Sequence, residues 1–447
     1  VKLLSAAILF AATASAQQPN AGGKWITNID TFGTPTNWNL TLEQNGDHIT
    51  GELGGDKLEG SLKNGKLSFH AKDPQGGYED VTATVSGDTI TGSLVWAQNA
   101  AVSHPTTHTF TATRAALKTG VAPQPTFHDF TPTVFRRQFS AAYEPVLTVN
   151  SGDTIHTWTV DAAGYDATGT PRSLGGNPQT GPFFINGAAP GDVLAIHIRR
   201  LRLNRDWAIS TNSIVDRANP PGIARRLTDS GVVRWHLDLE KGLASPEKPG
   251  PHMATYSVPL KPMLGCIGVA TDPSGPAPRT GDSGNFGGNM DFNEVTEGAT
   301  LYLPVRVAGA LLYLGDGHAV QGDGETTGDA LETSMDVTVT VEVVHDVPIR
   351  GPFLETPTHL MAIGLDGSID AAFQDATERM ENYLARVYKL TPSEFAMVLG
   401  TAAEYKVSEV ADRNAGVILK MAKSKLDTLT KPVSQGQANP ASPTITP

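Results

Sequence analysis

From residue 22 to about residue 114 the chain alternates apolar and polar positions in short runs. The runs cover residues 38–42, 49–53, 57–62, 66–70, 81–85, 89–95 and 107–113. They are separated by Asn45-Gly46, Gly54-Gly55, Asn64-Gly65, Gly76-Gly77 and Ser86-Gly87. A period of two buries one face of a strand and wets the other, and Asn-Gly or Gly-Gly pairs take hairpin geometry without strain. The pattern predicts a small up-and-down β-barrel or curled sheet of about seven strands. Trp25, Trp38 and Trp96 could line a sugar-stacking face, although a plain structural module is the favoured reading. His104 and His108 flank a Pro-Thr-Thr turn and carry only a weak metal signal.

Residues 115–126 hold two prolines and no periodicity, as a linker would. A larger domain follows over 127–430. Strand-like runs at 143–149, 154–160, 193–199, 233–237, 299–307 and 337–344 are joined by long loops rich in glycine and proline. Long loops inside a compact domain are uncommon unless they carry function. Over 369–389 the period changes: Ala372, Phe373, Ala376, Met380, Tyr383, Leu384 and Val387 follow helical spacing. Thr391-Pro392-Ser393-Glu394 then reads as an N-cap, a proline at the first helical position and a capping-box glutamate, opening a helix to about residue 403. A third helix is expected over 415–426, and the proline-rich tail 431–447 should be disordered. The fold class expected is mainly β with α (α+β): a small antiparallel barrel-like domain over 17–114, then a larger multi-sheet domain flanked by short helices.

Composition narrows this picture. The 447 residues fit two or three domains, and 46 glycines with 31 prolines suit a turn-rich β-protein. A formal net charge of -12 argues against nucleic acid as a partner. Residues 1–16 read as a signal peptide: Lys2, a short apolar run, then Ala14-Ser15-Ala16 before Gln17. That run is too short to span a bilayer, so an exported protein, periplasmic or secreted, is expected. The single Cys266 excludes an internal disulfide and lies in an apolar run, more a buried hydrophobe than a nucleophile.

The densest chemistry is Leu314-Gly315-Asp316-Gly317-His318-Ala319-Val320-Gln321-Gly322-Asp323-Gly324-Glu325. Three carboxylates, an imidazole and an amide lie between glycines that let the backbone curl them toward one point. A cation or a ligand with N–H donors would offset the repulsion among the acids. Gly-x-Ser-x-Gly and His-Glu-x-x-His are both missing, which removes the common serine and zinc hydrolase signatures. Weaker candidates are the Gly287-Gly288-Asn289-Met290-Asp291 turn, Asp161 after a strand, His197 within a strand, and Glu332.

These segments, together with Asn177-Pro178-Gln179-Thr180-Gly181-Pro182-Phe183, Gly187-Ala188-Ala189-Pro190-Gly191-Asp192, Pro262 to Val269 and Glu355-Thr356-Pro357-Thr358-His359, resemble the acetamidase/formamidase family in order and spacing. The resemblance covers about residues 127–426 and leaves out the leader, the first β-domain and the tail. It implies hydrolysis of short aliphatic amides to carboxylate and ammonia, with zinc or sometimes calcium at the site, by a homodimer acting on a small-molecule substrate. On that chemistry Asp161, Asp291, Asp316 and His318 are the expected metal ligands, and Glu325, with Asp323, the catalytic acids. Gln321, Asn289 and the N–H groups of Gly287 and Gly288 are expected to hold the amide. Two alternatives stay open: a larger or cyclic amide as substrate, or a non-catalytic binding protein that uses the N-terminal β-domain.

Overall fold

The computed structural model describes residues 20–73, 76–97, 104–114, 124–224, 231–273, 275–347 and 349–430. The expected leader, most of the linker and the tail lie outside the described residues. The chain divides into two compact units, Val1–Ala115 and Ala116–Pro447.

In the first unit the strands Gly23–Thr31, Asn39–Asn45, His48–Leu53, Asp56–Lys63, Lys66–Lys72, Tyr78–Ser86, Thr89–Ala97 and Thr106–Arg114 pair up and down in sequence order. The last returns to the first, from Trp25 opposite Arg114 to Asp30 opposite Thr109. Closure leaves the barrel no open edge. Inward residues such as Trp25, Leu40, Leu42, Phe69, Leu94 and Phe110 fill it. The sequence pattern anticipates every one of these strands except Gly23–Thr31. There the inward position between Trp25 and Ile29 is Thr27, fully buried because its hydroxyl donates to Trp38 O at 3.0 Å and accepts from Trp38 N at 2.9 Å. A satisfied polar residue hides the alternation. Trp25 is buried inside the barrel, so it does not line an outer stacking face.

The second unit is built on two sheets. One has nine strands in the order Phe127–Asp129, Thr154–Thr159, Met335–Val344, Val193–Leu203, Thr300–Pro304, Phe353–Glu355, His359–Asp366, Ala415–Ala422 and Ala403–Glu409. The other places Leu312–His318 between Met263–Val269 on one side and Gln179–Asn186 and Glu332–Thr333 on the other. Alternation explains how they pack. Leu194, Ile196, Ile198, Met361 and Ile363 share a core with Leu264, Ile267, Leu312 and Leu314 of the facing sheet. The intervening Val193, Ala195, Leu360 and Ala362 meet Ala376, Met380 and Leu384 of the helix Ile369–Val387. The order is therefore sheet, core, sheet, helix, a layered arrangement that buries both faces of the central sheet.

The helix Pro392–Ala402 begins with the expected capping box between Thr391 and Glu394. The expected third helix is a correction: residues 415–422 form the strand Ala415–Ala422, and only Lys423–Leu426 is helical. Val417, Ile418, Leu419 and Met421 are buried on both faces of a strand paired on each side. A short continuous apolar run does not distinguish such a strand from a helix. Among the described residues no helix is long and apolar enough to cross a membrane. His197 accords with a satisfied strand histidine, 3.0 Å from Thr300 Oγ1.

Candidate metal centre

The strand Leu312–His318 carries Asp316 and His318, and both are buried. Gly265 of the neighbouring strand stands between the pairs Leu264–Gly317 and Cys266–Gly315, facing Asp316. Its carbonyl accepts from Met290 N at 3.0 Å and Asp291 N at 3.2 Å, which brings Asp291 beside them. Glu332, paired with His318 in the ladder, enters from the strand Glu332–Thr333. Glu325 arrives on the intervening loop, which Gly324 ties to the strand Ala403–Glu409 through Ser408 O and Val410 N. Ligand atoms of Asp291, His318 and Glu325 lie within 4.8 Å of one another, and so do those of Asp316, His318 and Glu332. Asp291, Asp316 and Glu325 all have positive φ, 40°, 60° and 44°. Non-glycine residues in that region are uncommon, and they persist where the surroundings hold them.

Hydrogen bonds fix the orientation of the imidazole. Gln321 Nε2 donates to Asp291 O at 2.5 Å and Ser408 O at 3.2 Å, so its amide can face only one way. Its Oε1 therefore accepts from His318 Nδ1 at 2.9 Å, which places a proton on Nδ1 and turns Nε2 toward the acids. Nε2 lies 3.1 Å from Glu332 Oε1, 3.4 Å from Asp316 Oδ1 and 4.0 Å from Asp291 Oδ1. It makes no hydrogen bond with any of them, and Asp291 Oδ1 and Glu332 Oε2 also lack partners. Buried polar atoms are normally paired. Three orphans in the two overlapping groups that share His318 mark a place for a cation.

The electrostatics agree. Burial, reinforced by Glu325 and Asp316, pushes Asp291 well above the usual carboxylate range. Burial raises Glu325 likewise and lifts Glu332 to about 7. For His318, burial opposes the charged ring, but Glu332 and Asp316 outweigh it and raise its pKa well above the ordinary value. A buried acid-rich cluster around one imidazole is what a divalent cation would relieve. The donor set, one nitrogen and several carboxylate oxygens, suits zinc or a mixed zinc and calcium site.

The structure brings together Asp291, Asp316, His318 and Glu325 and leaves other expected residues outside. Asp161 is held by Arg205 Nη2 at 2.8 Å, while its Oδ1 accepts from Ala163 N and Tyr165 N. Both oxygens are thus engaged. Because Arg205 also donates to Glu332 O, Asp161 supports the strand end that presents Glu332. Asp323 is an exposed carboxylate paired with Lys406 at 3.0 Å and Asn293 Nδ2 at 2.8 Å. Asn289 Nδ2 donates to Asp291 Oδ2 at 2.7 Å and Asp412 Oδ2 at 2.8 Å, and its Oδ1 accepts from Asn177. Neither Asn289 nor Gln321 keeps a free amide hydrogen for a ligand. Gly287 and Gly288 lie in the ladder beside Met263–Val269. A Cβ there would stand 2.4 Å from Ile267 O or 2.3 Å from Asp282 O, so glycine serves strand packing.

Sequence reading left Glu332 undecided and missed Asp412, Glu409 and the amide chain from Gln179 through Asn177 to Asn289. Burial raises Glu409 to about 8 and Asp412 to about 6. The polar Asp412-Arg413-Asn414 stretch after an alternating strand was the available signal. Beside it opens a cavity of 460 Å³ lined by Val215, Asp216, Arg217, Val410 and Ala411.

Gln321→Leu is expected to weaken zinc affinity about 10–100-fold by freeing the imidazole tautomer. Competition with a chromogenic chelator measures it, and an unchanged affinity would remove Gln321 from that role.

Comparison with known proteins accords with this site. Residues 274–418 match the sequence profile described as the Acetamidase/Formamidase family. The formamidase of Methylophilus methylotrophus is 22% identical over 299 residues, 52% of this chain and 72% of that protein. A Schizosaccharomyces pombe relative is 24% identical over 229 residues, and the chain spans only 54% of its length. Among solved structures, the acetamidase of Bacillus halodurans superposes with a TM-score of 0.59 at 29% identity, covering 67% of this chain and 99% of that one. A predicted acetamidase/formamidase of Thermoanaerobacter tengcongensis gives 0.59 at 26%, covering 68% and 98%. By sequence profile over residues 274–418 and by fold over about two thirds of its length, the chain is similar to the acetamidase/formamidase family.

Proposed function

We propose that the second unit hydrolyses the C–N bond of short linear amides, of the formamide or acetamide kind, to carboxylate and ammonia with a divalent metal ion. The observation that carries this reading is His318 Nε2, unpartnered and facing three buried carboxylates. His318, Asp291, Asp316 and Glu332 would hold the ion, with Gln321 and Asn289 orienting His318 and Asp291. When bound, such an ion polarises an amide carbonyl and makes a neighbouring water acidic, toward a pKa of about 7.

The protein groups do the rest. Glu325, which enters on a loop and is the most exposed of the five at 7%, is the member we assign to the substrate side. Its carboxylate takes the proton of the attacking water and delivers it to the leaving nitrogen. Substrate approaches from the side of the cavity beside Val410 and Ala411, where Arg217 pins residues 410–413 through their carbonyls. Asp161 and Asp323 act on structure, through Arg205 and Lys406.

Stripping the protein with a strong chelator is expected to abolish ammonia release from formamide or acetamide, and zinc is expected to restore it. Full activity in the stripped sample would overturn the metal requirement. Ammonia from larger amides alone would shift the substrate class and leave the site assignment standing.

A further inference from the structure

One end of the first unit's barrel carries chemistry that packing does not need. Asp56, Glu79 and Trp96 each lie two residues along their strands from buried Leu58, Val81 and Leu94, and Trp38 and Asp73 stand just beyond the ends of the strands that carry buried Leu40 and Ala71. Alternation turns Asp56, Glu79 and Trp96 toward the interior, at the end where Trp38 and Asp73 also stand. Glu79 stands directly opposite Trp96 in the ladder. It is 3% exposed, and its Oε2 has no partner. Trp38 and Trp96 reach each other across the mouth, edge to face with centroids 6.4 Å apart, and Trp96 lies 6.3 Å from His108. Both indoles are half-buried, resting on the core below and open above.

His108 makes no hydrogen bond to Glu79 Oε2. Its ring nitrogens are engaged by Thr106 Oγ1 at 2.7 Å and Asp30 O at 3.1 Å. Burial, with Asp56, Asp73 and Asp80 adding repulsion, lifts Glu79 to about 7. The mouth thus combines a buried, unpaired carboxylate, two further acids and two aromatic rings, with no basic side chain among them. Barrel mouths are a common place for small ligands. Aromatic rings beside carboxylates recognise organic cations, the rings through their π faces and the acids through charge and hydrogen bonds.

We infer that this end of the barrel binds a small primary organic ammonium ion, its N–H donors on Glu79 and its alkyl part against Trp38 and Trp96. The inference does not rest on amide hydrolysis by the second unit. The test is calorimetric titration of the full chain at pH 8 with n-butylammonium chloride, n-butanol and calcium chloride. Saturable binding of n-butylammonium is expected, with n-butanol silent. Glu79→Gln should weaken it at least tenfold and Trp96→Leu should also weaken it.

Folding is not expected to confuse the result. A carboxyl raised from 4.5 to about 7 holds its proton more tightly in the folded state. Stability therefore falls as pH rises through that window, and the penalty is fully present at pH 8. Glu79→Gln should then keep or raise the Tm. No saturable response to n-butylammonium, equal binding of n-butanol, or unchanged binding by Glu79→Gln would overturn the inference. So would calcium binding that is lost in Glu79→Gln.

Discussion

Glu325→Gln is expected to lower kcat for formamide by about 10²–10⁴ while the bound metal per chain stays unchanged. The substitution keeps the side chain's size and its place in the loop between Gly322 and Gly328, and removes only the capacity to take up a proton. Because Glu325 is buried among Asp291, Asp316 and Glu332, all of like charge, loss of its charge relieves repulsion and should not lower the Tm. The split between metal content and turnover is the informative part. Retained metal with lost turnover identifies a base; loss of metal would make Glu325 a ligand instead. Wild-type kcat would remove it from the chemistry altogether.

Gly265→Ala is expected to empty the metal site and abolish activity, although residue 265 has no side chain of its own. A Cβ there would stand 2.3 Å from Asp291 Oδ1, 2.4 Å from Asp316 Oδ2 and 2.8 Å from His318 Cε1. Asn289 clamps Asp291 and Gln321 clamps His318, so those two side chains cannot retreat without breaking hydrogen bonds. Overpacking of this kind typically destabilises by about 1–3 kcal/mol. Gly322→Ala is the control, since nothing lies within 4 Å of its added carbon. Zinc content by mass spectrometry and the Tm of both variants decide the matter. A Gly265→Ala protein with full metal and wild-type rates would show that the carboxylates do not converge as described.

Much of this site was readable in the chain because four of its residues, Asp316, His318, Gln321 and Glu325, fall within ten positions of one another. Glycines between them announce a backbone that must curl. Glu332, Asp412 and Asn177 were less legible for a physical reason: they meet the cluster through ladder pairing and loop contacts, which leave no local spacing. Asp161 misled because an aspartate after a strand looks the same whether it binds a cation or a buried arginine; Arg205 decides that, 44 residues away in sequence. Gln321 and Asn289 were recognised as amides that matter, but which way an amide faces depends on distant partners such as Ser408 and Asp412. In the barrel, alternation exposed every strand whose inward side is apolar and missed the one interrupted by Thr27.

The most direct test is X-ray diffraction from crystals of the zinc-loaded protein, measured on both sides of the zinc absorption edge. The account predicts one strong anomalous peak bonded to His318 Nε2 and to carboxylate oxygens drawn from Asp291, Asp316 and Glu332. A protein that releases ammonia from formamide yet shows no peak there, with His318 Nε2 hydrogen-bonded to a carboxylate, would contradict it.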